Sequence, residues 1–114
     1  MARKATKRKK SIVILDVFYN DLHNNASFMG GGQKMILKFY ELLKDKYDIS
    51  VVSSQKFFIE KAKNIGIKTY DAYAPANEVI KAYEQHLKDI LEKDLMIINN
   101  QITFQEHPNV VSWV

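Results

Sequence analysis

Short apolar runs rich in β-branched residues alternate along the chain with longer segments of helical period. The first run, 12–19, begins Ile-Val-Ile-Leu, which is the pattern of a central strand buried on both faces. Four shorter runs follow, at 49–53, 67–70, 95–98 and 110–114. Alternation of this kind is typical of βαβ units. We therefore predict an α/β fold, a Rossmann-like parallel sheet of about five strands with flanking helices.

Three segments between the runs predict helices, at 33–46, 55–64 and 75–93. Each segment carries apolar residues on one face at helical spacing. These residues are Ile36, Phe39, Tyr40 and Leu43 in the first; Phe58, Ala62 and Ile65 in the second; and Val79, Tyr83, Leu87 and Leu91 in the third. Gly66 follows the second helix at the position where a helix C-cap favours a left-handed residue.

Composition limits the chain to one folded domain. It has 114 residues, of which 46% are hydrophobic and 26% charged, as in an ordinary globular protein. The absence of cysteine excludes disulfide scaffolds, thiolate catalysis and cysteine zinc sites, and it fits a reducing, cytoplasmic compartment. The apolar runs are far shorter than the roughly 20 residues that cross a bilayer.

The net charge of +4 is concentrated at the start of the chain. Residues 1–10 hold six of the 17 basic residues and no acid, which leaves 11 basic against 13 acidic residues in the remainder. We predict a disordered basic arm over 1–10 and a folded domain over 11–114. The arm is either a solubilising leader or a contact for anionic surfaces, including peripheral contact with a membrane. No nucleic-acid partner is expected, because the body has no basic stripe and no recognised nucleic-acid motif.

The connection from Asn20 to Gly32 is the strongest candidate for function. In a doubly wound sheet, ligands bind at the carboxyl ends of the strands, and this loop is much longer than the usual βα connection. It ends in Gly30, Gly31 and Gly32, directly before a helix, where backbone amides and the helix dipole can face an anion such as a diphosphate. The alternative is that these glycines only form a flexible turn.

Other polar residues at predicted strand ends are weaker candidates. His23 is either a general base oriented by Asp21 or a solvated loop residue. Asn99, Asn100 and Gln101 follow the fourth run, where amides either bind sugar hydroxyls or form a turn. The three histidines are scattered without metal-ligand spacing, and no metal or cofactor is expected. The sequence fingerprints of dinucleotide-binding proteins and of P-loop proteins are both missing. In the dinucleotide motif, a glycine is required at the position where this chain has Met35.

Nearly all of the folded part resembles the N-terminal half of family 4 glycosyltransferases, retaining enzymes of the GT-B fold that use nucleotide sugars. The resemblance is carried by the glycine-opened helix at 30–43 and the strand at 48–54, and it continues through 60–67 and 95–100. It implies a donor-diphosphate contact at Gly30, Gly31, Gly32 and Gln33. It also implies an acceptor-side cleft lined by Asn20, His23, Asn24, Asn99, Asn100 and Gln101.

The resemblance also implies which parts of such an enzyme this chain lacks. The family commonly has a histidine just after the fifth strand, whereas this chain ends there, at Val114. The C-terminal domain that binds the nucleotide sugar is missing as well. We therefore expect a truncated domain that is inactive without that domain or a second subunit, and whose intact form uses a nucleotide sugar and a glycan or lipid-linked acceptor. The alternative is a non-catalytic α/β binding module for an anionic ligand or a protein partner.

Overall fold

The computed structural model describes residues 9–18, 20–98 and 109–112. Its strands are β1 (Lys10–Asp16), β2 (Tyr47–Ser53), β3 (Lys68–Asp71), β4 (Leu95–Ile98) and β5 (Val110–Ser112). They form one sheet in the order β3-β2-β1-β4-β5, and all four neighbouring pairs are parallel. The predicted α/β, Rossmann-like fold is therefore confirmed.

The helices are α1 (Asp21–Asn24), α2 (Gly31–Leu43), α3 (Lys56–Asn64), α4 (Val79–Glu84) and α5 (Leu87–Leu91). A 3-10 turn, Ala76–Glu78, leads into α4. Apolar residues of α2 and α3 pack on one face of the sheet, and those of α4 and α5 pack on the other. Within the described residues, no helix has the length and apolar character needed to cross a bilayer.

Strand β1 is the centre of both halves of the core. Its side chains alternate, so that Ile12 and Ile14 contribute to the cluster with α2 and α3, while Val13 and Leu15 contribute to the cluster with α4 and α5. All four side chains are buried, as the dense apolar run predicted. Both faces of β1 are therefore covered.

The strand order fixes where a ligand site is expected. From β1 the chain moves through β2 to β3 on one side of the sheet, and it then returns to place β4 on the other side of β1. The topological switch point therefore lies between the carboxyl ends of β1 and β4. Crevices at this point are where open α/β sheets bind their ligands.

The third predicted helix is wrong in its continuity and in one of its core residues. The segment is a 3-10 turn, α4 and α5, with a break at Gln85 and His86. Ile90 is fully buried, whereas Leu91 is 36% exposed. The reason is geometric, because neighbouring residues of a helix lie about 100° apart, so Leu91 turns outward when Ile90 of α5 faces the core. The break before α5 also resets the four-residue spacing counted from Val79.

Other differences from the sequence prediction are smaller. The first strand begins at Lys10 rather than Ile12 and ends at Asp16, and α1 occupies part of the predicted loop. Ile65 follows the last residue of α3 and is 45% exposed, so its predicted place on the buried face is wrong. Gly66 has a φ of +97°, which confirms the left-handed position expected after this helix. Residues 113–114 of the fifth predicted strand lie outside the described residues.

Candidate functional site

The β1–α2 loop, residues 20–30, reaches across the carboxyl end of the sheet. It begins after β1 but contacts the segment after β3, two strands away. The backbone amide of Ala76 donates to Asp21 Oδ1 at 2.8 Å, and the hydroxyl of Tyr73 donates to Asn25 Oδ1. The loop therefore covers the end of β2, which lies between β1 and β3.

Asn24 and Ser54 fasten the loop to the end of β2. Asn24 is 1% exposed; its Nδ2 donates to the carbonyl of Phe18 at 2.8 Å, and its Oδ1 accepts from Ser54 Oγ at 2.7 Å. The amide of Phe18 donates to Ser54 Oγ at 2.9 Å. Both polar atoms of the Asn24 side chain are thus bonded within the protein. This differs from the predicted position of Asn24 in an open acceptor-side cleft.

Gln33 holds the start of α2 against the end of β1. Its side chain is 2% exposed, and its Nε2 donates to Asp16 Oδ2 at 2.9 Å and to Gln55 Oε1. Its Oε1 accepts from the backbone amide of Gly30 at 3.2 Å. The sequence prediction grouped Gln33 with the glycines in an anion contact. Its side chain instead faces inward and positions Gly30.

Gln55 and Ser53 complete this buried network. Gln55 Nε2 donates to the carbonyls of Ala26 and Phe28 at 3.2 and 3.0 Å. Ser53 Oγ donates to Asp16 Oδ2 at 2.9 Å and accepts from the amide of Gln55 at 3.1 Å. Both amide hydrogens of Gln33 and of Gln55 are therefore paired, and satisfied buried networks of this kind rigidify what they hold.

The start of α2 has free space around Gly30 and Gly31 among the described residues. A Cβ built on Gly30 or Gly31 meets no described atom within 4 Å. The φ of Gly30 is −78°, which any residue can adopt. The amides of Gly31 and Gly32 lie in the first turn of α2, where backbone donors have no carbonyl four residues back within the helix, and no acidic residue lies in that turn. Among the described residues, the positive end of α2 therefore has free space at Gly30 and Gly31, as an anion-binding helix start requires.

A groove of about 730 Å³ lies along the outer side of the same loop. We call it the loop groove; it is lined by Asn20, Asp21, Leu22, His23, Asn25, Ala26 and Phe28. Leu22 is 86% exposed and Phe28 is 70% exposed. The Phe18 ring lies 3.9 Å from the His23 imidazole, centroid to centroid. His23 Nε2 is buried and has no hydrogen-bond partner among the described residues.

The structure separates the predicted site residues into three groups. Asn20 and His23 line the loop groove. Gly30, Gly31 and Gly32 form the start of α2, with free space at Gly30 and Gly31, and Asn24 and Gln33 are buried supports. The remaining predicted residues, Asn99, Asn100 and Gln101, lie outside the described residues. Where the chain is described, no group of three or more His, Asp or Glu side chains is placed to hold a metal ion.

Sequence reasoning missed Asp16, Ser53 and Gln55, although a signal for them exists. Asp16 and Ser53 follow directly on apolar strand runs and Gln55 lies two residues further on, where polar side chains meet the polar ends of neighbouring strands. Comparison of the chain with protein-family models, with curated proteins and with solved structures finds no match.

Proposed function

We propose that the chain is the N-terminal, acceptor-side domain of a nucleotide-sugar-dependent glycosyltransferase of the retaining GT-B kind. The observation that carries the proposal is the open, glycine-built start of α2 just beyond β1, at the switch point of a parallel sheet. The sheet also has the strand order of a Rossmann-type nucleotide-binding half. This fold is consistent with the sequence resemblance to the family.

The chemistry of the donor explains what the glycines contribute. A nucleotide sugar releases a nucleoside diphosphate, so negative charge develops on the leaving group as the glycosidic bond breaks. The amides of Gly31 and Gly32 and the positive end of α2 are in position before that charge develops and can stabilise it. Gln33 supports the arrangement from behind, because its Oε1 fixes the amide of Gly30.

In this proposal the acceptor lies beside Asn20 and His23 in the loop groove. Asn99, Asn100 and Gln101 remain part of the proposed acceptor side because they follow β4, the other strand of the switch point. A second domain holds the nucleotide and the sugar. The 114-residue chain by itself then transfers no sugar, and measurable transfer by the purified chain contradicts the proposal.

A nucleotide titration followed through backbone amide NMR signals tests the donor contact. UDP and GDP are added separately to the whole chain, and we expect saturable shifts at Gly30, Gly31 and Gly32 in the millimolar range. Gly31→Glu adds a carboxylate where a Cβ has free space, so it should abolish the shifts by repulsion. Gly31→Gln, of the same size but neutral, should retain most of them. Absence of shifts at these amides with either nucleotide rejects the proposal.

A further inference from the structure

The β1–α2 loop holds large apolar side chains in water at fixed positions. Leu22 and Phe28 are 86% and 70% exposed. Their loop is nonetheless tied down, since Gln55 binds the carbonyls of Ala26 and Phe28 and the amide of Ala76 donates to Asp21. Their exposure is therefore built into the fold, and exposed apolar surface held in this way is typical of a binding site.

Several acceptor atoms that line the loop groove are bonded within the protein. Oδ1 of Asp21 accepts from Ala76, Oδ1 of Asn25 accepts from Tyr73, and Oδ1 of Asn20 accepts from the amide of His23. Among the buried side-chain nitrogen and oxygen atoms of the described residues, His23 Nε2 has no partner. The groove thus offers a ligand apolar surface, and the imidazole nitrogen of one of its lining residues is buried and unsatisfied.

The size of the groove selects the class of ligand. Its volume of about 730 Å³ falls in the range of about 300–1,000 Å³ that is typical of small-molecule sites. We infer that the loop groove binds an amphipathic, hydroxyl-bearing small molecule. Its apolar part lies against Leu22 and Phe28, and a hydroxyl group bonds to His23. The Phe18 ring lies against the imidazole at a tilt of 44°, and because Nε2 is buried, the hydroxyl contact requires one of the two rings to turn.

This inference deepens the acceptor side of the proposed function, which uses the same groove, and its evidence is the groove itself rather than nucleotide binding. Where the proposed function also holds, the acceptor is such a molecule. The apolar half and the hydroxyl half of the ligand bind through different interactions. The apolar half gains from leaving water, while the hydroxyl supplies the hydrogen bond that His23 lacks.

The test uses n-octyl β-D-glucoside, kept below its critical micelle concentration, as the probe for the whole chain. Binding is followed through the methyl NMR signals of Leu22 and Ala26. Methyl β-D-glucoside carries the same hydroxyls without the apolar chain, and we expect it to bind roughly tenfold or more weakly. Equal affinities for the two glucosides overturn the inference.

Three variants locate the site. Leu22→Ser combined with Phe28→Ser should weaken octyl glucoside binding about tenfold or more, and the exposure of both residues leaves the fold intact. Leu42→Ser, at a 71% exposed position of α2, is the matched control and should bind as the unaltered chain does. If both variants lose binding equally, or if neither loses it, the groove is not the binding site.

His23→Phe tests the hydroxyl contact. It keeps an aromatic ring and should weaken octyl glucoside binding severalfold, and unchanged affinity overturns the contact.

The nucleotide titration separates this inference from the proposed function. Octyl glucoside binding in the groove without nucleotide shifts at Gly31 supports the inference and rejects the function. Nucleotide shifts at Gly31 without octyl glucoside binding reject the inference and leave the function in place.

Discussion

At the scale of single residues, the site depends on buried polar side chains more than on exposed ones. Asp16, Gln33 and Gln55 are each no more than 2% exposed, yet they connect β1, α2 and the loop. Buried polar groups cost free energy unless each is paired, and here the pairing holds the rim of the site in place. The residues that determine the shape of the site are therefore different from those that face a ligand.

Removal of one member of this network should destabilise the fold. In Gln55→Leu, the carbonyls of Ala26 and Phe28 and the Nε2 of Gln33 each lose a partner. Because a buried polar group left unsatisfied costs about 1–3 kcal/mol, we expect the free energy of unfolding to fall by at least that amount. Urea denaturation measures the change.

The control for this experiment is Gln85→Leu, at an exposed position after α4. Exposed substitutions of this kind usually change stability by less than about 0.5 kcal/mol. Equal stabilities of the two variants would show that the network contributes nothing to folding.

Residue positions were predictable from sequence where the signal is periodic. Phe58 and Ala62 of α3 are buried as predicted, because helical spacing places them on one face. Asn24 and Gln33 carry no such signal, since their partners Ser54 and Gln55 lie 30 and 22 residues away in the chain. A polar residue in a loop acquires its burial from the tertiary structure, which periodicity does not describe.

At the scale of elements, glycines before and after helices have different roles here. Gly66 follows α3 with a φ of +97°, whereas Gly31 is the first residue of α2. A Cβ at Gly66 would lie 3.5 Å from the hydroxyl of Tyr40, an ordinary contact. The requirement at Gly66 is therefore one of backbone conformation, whereas neither the backbone nor the described neighbours require glycine at Gly31.

Alanine substitutions at these two glycines should change stability in opposite directions. Gly66→Ala forces an L-residue to a positive φ and should cost about 1–2 kcal/mol. Gly31→Ala replaces glycine within a helix, in free space, and should be neutral or should stabilise by up to about 1 kcal/mol. Thermal unfolding of both variants tests the pair, and a loss of stability in Gly31→Ala would contradict it.

The five strands were predictable in number and type, whereas the three predicted helices are five α-helices in the structure, because α1 lies in the predicted loop and the third predicted helix is interrupted. The break between α4 and α5 at His86 coincides with a hydrogen bond of its Nε2 to the carbonyl of Asp71, at 2.9 Å, and with ring contact to Tyr70. Both partners belong to β3. A continuous apolar pattern cannot reveal such a break, because its partner lies in another element.

At the scale of the whole molecule, the two ends of the sheet have separate roles. Lys10 begins β1 at the amino end of the sheet, where Asp94 Oδ2 accepts from the amide of Ser11 at 2.7 Å. The α2 start and the loop groove lie at the carboxyl end, beyond Asp16. The seven residues of β1 separate the two ends by roughly 20 Å. The basic residues at the start of the chain therefore lead into the end of the sheet opposite the site.

Removal of residues 2–8 should consequently affect binding to anionic surfaces and leave the site unchanged. We expect the shortened chain to lose salt-sensitive sedimentation with phosphatidylserine vesicles, since each basic residue near such a surface is worth about 1 kcal/mol. The nucleotide shifts at Gly31 should persist. Vesicle binding that survives the deletion would place the membrane contact elsewhere on the molecule.

The sheet also has two unlike edges. The β3 edge carries the exposed charges of Lys68 and Asp71, whereas Val110 and Val111 of β5 are 39% and 46% exposed. Charged edges resist pairing with other chains and apolar ones promote it.

We expect Val111→Lys to reduce concentration-dependent association in sedimentation velocity experiments. Leu42→Lys, at an exposed helical position, should leave this association unchanged. If both variants reduce association equally, the cause is the added net charge and not the β5 edge.

The anchoring of the β1–α2 loop has a consequence for how this protein can change. The loop is held through the backbone carbonyls of Ala26 and Phe28 and the side chain of Asp21, and the groups that hold it lie outside the loop, on Gln55 and Ala76. The side chains of Leu22 and Phe28 project into solvent and take no part in the hydrogen bonds that anchor the loop. If the loop groove binds the ligand inferred for it, mutations at these two positions alter ligand preference at little cost to folding. Selectivity is thus free to diverge, or to be engineered, on an unchanged scaffold.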